Sequence, residues 1–164
     1  MVFSFSADEM FEMAERIERN GATFYRPAAQ AVPEASLRRR LVEHAAWEGE
    51  HEKIFAAMRA QLTHAERAPT VFDPDDESAP YLAAMADRRV FDVDTDPAQL
   101  LTGKETLAEI LQAAIEREKD SVVFYTGMQA YVPERLGQDR IDGIIREEMG
   151  HIALLSKELR ALKL

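Results

Sequence analysis

Apolar residues recur three or four positions apart in four long stretches of the chain, and this spacing predicts four amphipathic α-helices. The first helix begins with the capping-box residues Ser6 and Glu9 and runs to about Ala31. Its apolar face contains Met10, Ala14, Ile17, Gly21 and Phe24. Pro27 falls inside this helix and is expected to bend or shorten it.

Proline and glycine residues mark the limits of the other three helices. Pro33 is expected to open a second helix that runs to about His64. The third helix begins near Gly103 and continues to about Tyr131. The fourth becomes regular after Gly137 and ends near the C-terminus, so the pattern predicts an all-α protein.

The two halves of the chain repeat one pattern at an offset of 100 residues. Between positions 15–51 and 115–151, nine residues are identical. In the first half they are Glu18, Phe24, Tyr25, Val32, Pro33, Glu34, Arg40, Glu48 and His51. Because the matches include the Val-Pro-Glu turn and the Phe-Tyr pair, a duplicated helical hairpin accounts for them.

The connector 65–103 is rich in proline and aspartate and breaks the helical pattern, although its stretch 81–90 predicts one short helix. Two similar hairpins, 6–64 and 104–163, make the second and third helices parallel. The connector must then return along helices about 45 Å long. Bundles with one long crossover are of the ferritin-like type, so we expect residues 1–164 to form a single ferritin-like four-helix bundle.

Each half carries a lone glutamate on one helix and a Glu-x-x-His on the next. Residues three apart share a helical face, and the lone glutamate and the pair lie at similar distances on either side of the Val-Pro turn. Antiparallel helices therefore bring these side chains to the same height in the bundle. The predicted metal ligands and catalytic residues are Glu18, Glu48, His51, Glu118, Glu148 and His151.

The charge of this cluster indicates what it binds. Four carboxylates in a low-dielectric core are costly if they stay ionised and unpaired. Two divalent cations would balance their charge. Oxygen-rich ligation with one imidazole per ion suits iron or manganese, and zinc is also possible. We therefore predict two metal ions, with iron as the first expectation.

Several residues near the predicted ligands have two interpretations. Tyr25 and Tyr125 lie two turns after the lone glutamates, where they could hydrogen-bond ligating carboxylates or pack in the core. His44 lies one turn before the first Glu-x-x-His, but its repeat counterpart is Ile144, which favours a structural role.

The residue before each Glu-x-x-His differs between the two halves. Trp47 precedes the first motif, and we interpret it as a buried core residue in preference to an electron relay. Glu147 precedes the second motif and is expected to be exposed.

Composition excludes several classes of function. The absence of cysteine excludes disulfides, thiolate metal sites and iron–sulfur clusters. The formal net charge of −10 argues against nucleic acid as a partner. No apolar run approaches the roughly 20 residues that span a bilayer, and the N-terminus lacks a basic signal-peptide start, so we expect a cytoplasmic protein with no membrane partner.

The motifs resemble those of the rubrerythrin-like branch of the ferritin-like superfamily, and the similarity covers nearly the whole chain. The matching segments are 17–25, 48–51, 115–125 and 148–151. In that family the matching residues bind a non-haem di-iron centre. The resemblance implies that the six residues bind iron here, with Glu48 and Glu148 as bridges.

Two features depart from typical rubrerythrins. Those proteins carry a rubredoxin-like domain with four cysteines, and this chain has none, so we expect electrons from another protein, such as a rubredoxin-like one. They also carry an extra carboxylate one turn from the third-helix ligand, where this chain has Ile115 and Ser121.

The resemblance leaves three functions open. The leading hypothesis is a peroxidase-like or ferroxidase-like oxidoreductase that acts on hydrogen peroxide, dioxygen or ferrous iron. The second is an iron-binding or storage module without turnover. The weakest is a di-iron monooxygenase resembling the demethoxyubiquinone hydroxylases, which share the six-ligand pattern. For all three we expect a homodimer or a higher homo-oligomer.

Overall fold

Four α-helices make up most of the computed structural model, which describes residues 6–68 and 101–162. The helices are α1 (Ala7–Ala31), α2 (Ala35–Ala60), α3 (Leu107–Met128) and α4 (Gln138–Ala161). No strand occurs within these two ranges. The prediction of an all-α four-helix bundle is therefore confirmed.

Some helix limits differ from the prediction. Helix α1 continues through Pro27 without being shortened. Helix α2 begins two residues after Pro33 and ends four residues before His64. Helix α3 begins later than Gly103, because Thr106 caps its first turn. Helix ends depend on which side chain caps the free N–H groups, and apolar spacing alone does not reveal this.

Capping boxes open α1 and α3, and they follow the same offset as the repeated motifs. In α1 the Glu9 amide donates to Ser6 Oγ at 3.2 Å, and the Ser6 amide donates to Glu9 Oε2 at 2.8 Å. In α3 the Glu109 amide donates to Thr106 Oγ1 at 3.3 Å, and the Thr106 amide donates to Glu109 Oε2 at 2.7 Å. The first box was predicted from the sequence, and the second extends the internal repeat to the helix starts.

The apolar core is divided into two clusters, one towards each end of the bundle. The first core cluster includes Met10, Phe11, Phe55, Met58, Phe124, Ile141 and Ile144. The second core cluster includes Phe24, Leu37, Leu41, Ile110, Leu111 and Leu155. Along the chain, α1 and α4 pass from the first cluster to the second, while α2 and α3 pass from the second to the first. Helices α2 and α3 are therefore parallel, as the duplicated hairpin predicts.

Because α2 and α3 are parallel, the chain between them must return from one end of the bundle to the other. Most of the predicted crossover 65–103, including the short helix at 81–90, lies outside the described residues. Among the helices that are described, none has the length and apolarity needed to cross a membrane.

Replacing Ser6 with alanine is expected to lower the free energy of unfolding by about 1 kcal/mol, because α1 loses the acceptor for one of its free N–H groups. Thr106→Ala should cost a similar amount at the start of α3. Urea unfolding followed by circular dichroism measures both changes.

Thr126→Ala is the control for these variants, since Thr126 is exposed inside α3 and its hydroxyl bonds the carbonyl of Val122 at 2.7 Å. Alanine is the better helix former there, so stability should stay the same or rise by a few tenths of a kcal/mol. A loss for Thr126→Ala as large as for the two cap variants would contradict the assignment of the caps.

Candidate metal centre

A belt of polar side chains separates the two core clusters, and all six predicted ligands lie in it. Helices α1 and α3 each contribute one glutamate, and α2 and α4 each contribute a Glu-x-x-His pair. The exposed fractions are 0 % for Glu18, 4 % for Glu48, 2 % for His51, 2 % for Glu118, 0 % for Glu148 and 6 % for His151. Six buried polar groups in one place need partners, because an unpaired polar group in a core is destabilising.

The six side chains form two groups of facing ligand atoms. Glu18, His51 and Glu148 each offer one atom within 4.8 Å of the others, and we name this group the His51 position. A second group with the same spacing is the His151 position, formed by Glu48, Glu118, Glu148 and His151. Because Glu148 belongs to both groups, it could bridge two ions.

Each histidine directs Nδ1 towards the carboxylates. His51 Nδ1 lies 2.9 Å from Glu148 Oε1 and 3.5 Å from Glu18 Oε2. His151 Nδ1 lies 3.0 Å from Glu148 Oε2 and 3.4 Å from Glu118 Oε2. The two oxygens of Glu148 therefore face different histidines, one from each motif.

The two tyrosines cross between the hairpins. The Tyr25 hydroxyl donates to Glu118 Oε1, and the Tyr125 hydroxyl donates to Glu18 Oε1 at 2.5 Å. Burial and the surrounding carboxylates raise the pKa of both tyrosines well above its usual value, so both phenols keep their protons. Of the two sequence interpretations, the hydrogen-bonding one therefore applies: each tyrosine orients a carboxylate of the other hairpin.

The residue before each motif contacts the histidine of the other motif. His51 Nε2 donates to Glu147 Oε2 at 2.8 Å, although the Glu147 side chain is 63 % exposed. The Trp47 ring stacks on the His151 ring, with centroids 4.8 Å apart and planes 11° apart. The prediction of a buried Trp47 was wrong, since this residue is 37 % exposed at the edge of the site. Sequence equivalence of positions 47 and 147 was the signal that could have linked both to the ligands.

A surface groove lies beside Glu147, whose carboxylate accepts a hydrogen bond from His51 Nε2–H. This groove of about 380 Å³ lies between α2 and α4 and is lined by Glu50, Lys53, Ile54, Ala57, Arg140, Gly143, Ile144 and Glu147. Glu147 therefore connects the groove with the ring of His51.

His44 lies closer to the site than its predicted structural role implied. It is 1 % exposed, and its Nδ1 lies 2.8 Å from the carbonyl oxygen of Arg40. A carbonyl only accepts hydrogen bonds, so Nδ1 carries the proton. Burial lowers the pKa of His44 to about 4, which keeps the ring neutral at pH 7. His44 also forms a group with Glu118 and His151 in which each offers a ligand atom within 4.8 Å of the others.

Gly21 makes room for Glu48. A Cβ atom at position 21 would lie 2.6 Å from Glu48 Oε2 and 2.9 Å from Glu48 Cδ. Any larger residue would displace this carboxylate. The sequence signal was a glycine inside a predicted helix, one turn after the lone glutamate. A glycine there often has a packing role, such as room for a side chain of a neighbouring helix.

Two buried atoms of the site, Glu18 Oε2 and His44 Nε2, have no hydrogen-bond partner. Two more, His51 Nδ1 and Glu148 Oε1, face each other at 2.9 Å and have no partner besides each other. Leaving a buried polar atom unpaired costs about 1–3 kcal/mol. The concentration of such atoms at one site is the arrangement that a cation would relieve.

Protons balance the charge of this site when no metal is bound. Burial and the nearby carboxylates raise the pKa of Glu48 well above its usual value. Burial and the contact with Glu148 raise the pKa of Glu118 to about 8. Burial alone would lower the pKa of the two histidines, but their carboxylate neighbours raise it to about 11 for His51 and about 9 for His151.

The pKa of Glu148 is shifted in the opposite direction to the pKa values of Glu48 and Glu118. Burial would raise its pKa, but the contacts with Glu118, His151 and His51 outweigh burial and lower it. The shared carboxylate therefore stays ionised between two protonated imidazoles. These compensating protons would have to leave when cations bind.

The metal-free protein is expected to lose stability as the pH rises from about 6.5 to about 9. The folded protein keeps the proton of Glu118 up to about pH 8 and that of His151 up to about pH 9, and His51, with a pKa of about 11, keeps its proton throughout, while the unfolded chain has released all three. Stability from a raised pKa is present below the unfolded pKa and is lost as the pH rises through the folded one. The loss is about 1.4 kcal/mol per pH unit for each such proton. Urea unfolding of metal-stripped protein at several pH values measures it.

His44 changes the stability in the opposite direction, because its pKa is lower in the folded protein than in the unfolded chain. Its contribution to stability rises with pH only up to the unfolded pKa of 6.5, so it does not offset the loss at higher pH. Glu118→Gln cannot ionise and should make the decline shallower. A free energy of unfolding that stays level or rises between pH 6.5 and 9 would show that the site does not hold these protons.

Comparison with known proteins identifies the fold. The chain is similar to a crystal structure from Thermotoga maritima that is provisionally described as a ferritin-like diiron-carboxylate protein. The two chains are 22 % identical, with a TM-score of 0.76 over 96 % of this chain and 97 % of that one. No protein-family model and no curated protein matches this chain. At this identity the likeness shows the fold alone, and the chain has the ferritin-like four-helix fold.

Proposed function

We propose that the chain is a non-haem di-iron oxidoreductase that acts on hydrogen peroxide, dioxygen or ferrous iron with electrons from an external donor. The observation that carries this proposal is the pair of buried ligand groups that share Glu148. The Thermotoga maritima protein of the same fold is provisionally described as a diiron-carboxylate protein, which agrees with it.

The donor set fits two metal ions. In the proposed arrangement the His51 position would hold one ion and the His151 position the other, with Glu148 between them. Among these ligand atoms, Glu18 Oε2 lacks a hydrogen-bond partner, and His51 Nδ1 and Glu148 Oε1 have only each other, at 2.9 Å. Mainly oxygen ligation with one imidazole per ion suits iron or manganese, and zinc remains possible.

Two bound iron ions would supply the two electrons that, together with two protons from solvent, reduce one peroxide to two waters. The residues of the chain hold the ligands in place for this chemistry. Glu147 accepts a hydrogen bond from the Nε2–H of His51. This bond favours the tautomer in which Nδ1 carries no proton and can bind a metal ion. Tyr25 and Tyr125 keep one oxygen of Glu118 and one of Glu18 occupied, which directs the other oxygens inward.

Reduction of the site requires electrons from elsewhere, because the chain has no cysteine that could hold an iron–sulfur or rubredoxin-type centre. We infer that a separate one-electron donor protein, of rubredoxin-like type, supplies them. Two encounters with such a donor would deliver the two electrons that one peroxide consumes.

Anaerobic loading of metal-stripped protein with ferrous iron is expected to give two ions per chain, and the loaded protein should consume peroxide steadily when a reductant is present. Glu148→Ala should lose both ions, because this carboxylate is shared. Glu48→Ala should abolish turnover. Elemental analysis and a peroxide electrode measure these outcomes.

Glu50→Ala is the matched control, since the Glu50 side chain is 66 % exposed and pairs with Lys53. It should bind two ions and turn over like the unchanged chain. Two ions per chain without turnover by any of several reductants would contradict the enzymatic proposal. Native mass spectrometry that showed a large shell with many ions per chain would favour storage instead.

Gly21→Ala is expected to weaken metal binding by about tenfold or more, because the new Cβ would displace the Glu48 carboxylate. The effect on folding should be smaller, since the end of a glutamate side chain can move aside. Calorimetric titration with Co²⁺ measures the affinity, and urea unfolding of the metal-free protein measures the stability.

Gly49→Ala provides the comparison, because nothing lies within 4 Å of a Cβ added there. Alanine is favoured over glycine inside a helix by about 1 kcal/mol, so this variant should be more stable and should bind Co²⁺ normally. Equal affinities for the two variants would exclude a role for Gly21 in positioning Glu48.

A further inference from the structure

We propose that His44 is a seventh ligand of this centre and that it binds, through Nε2, the ion at the His151 position. The inference rests on the proposed di-iron function and deepens it. It makes the two positions unequal, with two nitrogen donors at the His151 position and one at the His51 position.

The first argument is the free nitrogen of His44. The ring is 1 % exposed, and its Nε2 has no hydrogen-bond partner. Nδ1 holds the proton and donates it to the Arg40 carbonyl at 2.8 Å, so Nε2 carries a lone pair. A buried histidine with an unused lone pair is costly unless something binds that pair.

The second argument is the position of the ring. A nitrogen of His44, an oxygen of Glu118 and a nitrogen of His151 all lie within 4.8 Å of one another. The ring centroids of His44 and His151 are also 4.8 Å apart. Since Nδ1 is engaged by Arg40, Nε2 is the nitrogen that remains for an ion shared with Glu118 and His151.

The third argument is the way the ring is held. Histidines that bind metal usually donate their other N–H to a carbonyl or a carboxylate, which fixes the tautomer and the ring direction. His51 does this through Glu147, and His44 does it through the Arg40 carbonyl. The repeat counterpart of His44 is Ile144, so the His51 position has no equivalent nitrogen.

Packing alone does not account for a histidine at this position. The His44 ring contacts the rings of Tyr25, at 5.1 Å between centroids, and Trp47, at 5.0 Å. Phenylalanine could make both contacts without leaving a buried nitrogen unpaired.

Loading the metal-stripped full chain with Co²⁺ tests the proposal by proton NMR. A histidine bound to Co²⁺ shows a strongly shifted resonance for the N–H of its other nitrogen. The Nδ1–H of His44 is buried and hydrogen-bonded to a carbonyl, so this proton should exchange slowly with solvent. The Nε2–H of His51 is also buried and is held by Glu147, so it can give a resonance of the same kind. We expect one additional slowly exchanging, shifted resonance from His44 in the unchanged chain, and its loss in His44→Phe.

Co²⁺ affinity provides a second measurement. His44→Phe should lower the affinity of the His151 position by about tenfold or more and leave the His51 position unchanged. Trp47 is the only tryptophan of the chain and stacks on His151, so its fluorescence reports filling of the His151 position. His64→Phe, at an exposed histidine, is the matched control and should change neither readout.

Two bound Co²⁺ ions without a slowly exchanging, shifted N–H resonance additional to that of His51 in the unchanged chain would overturn the role of His44. This outcome is decisive even if His44→Phe fails to fold. Unaltered affinity in a folded His44→Phe would overturn it as well. Fewer than two Co²⁺ ions in the unchanged chain would instead overturn the proposed function itself, so the two failures are distinguishable.

Discussion

Burying four carboxyl groups and two imidazoles at the middle of a four-helix bundle is the constraint on which the rest of this structure depends. Each helix interrupts its apolar face at the same height, and the core is therefore split into two clusters. Without a cation, bound protons offset the charge of this cluster. The pKa of Glu118 is raised to about 8, so its carboxyl group stays protonated at pH 7, while Glu148 stays ionised between two protonated histidines. The carboxylates of this belt are the groups that would bind two divalent ions in the proposed function.

The belt is also the place where the two hairpins hold each other. Tyr25 of the first hairpin bonds Glu118 of the second, and Tyr125 of the second bonds Glu18 of the first. Glu147 of the second hairpin likewise accepts a hydrogen bond from the Nε2–H of His51 in the first. A single hairpin would lack the groups that orient its own carboxylate and histidine. Formation of the site therefore requires that the two hairpins dock.

Duplication explains the symmetry of the centre, and later differences between the halves explain its asymmetry. The predicted ligands, the tyrosines and the capping boxes follow the offset of 100 residues. Positions 44 and 47 do not follow it, because His44 is matched by Ile144 and Trp47 by Glu147. One predicted histidine ligand, His51, therefore has a carboxylate beside its Nε2, and the other, His151, lies against an indole ring and a second histidine. Two ions bound there, as proposed, would differ in affinity and in redox behaviour because their surroundings differ.

The sequence by itself determined the four helices, their pairing into repeated hairpins and the six predicted ligands, which the structure buries. These follow from the 3.6-residue period and from spacing around the turns, which are local properties of the chain. The tertiary structure decided what depends on contacts between distant segments. Examples are the exposure of Trp47, the space that Gly21 leaves for Glu48 and the free nitrogen of His44. A periodic pattern shows which face of a helix is buried, but the atom that it meets is chosen by the neighbouring helix.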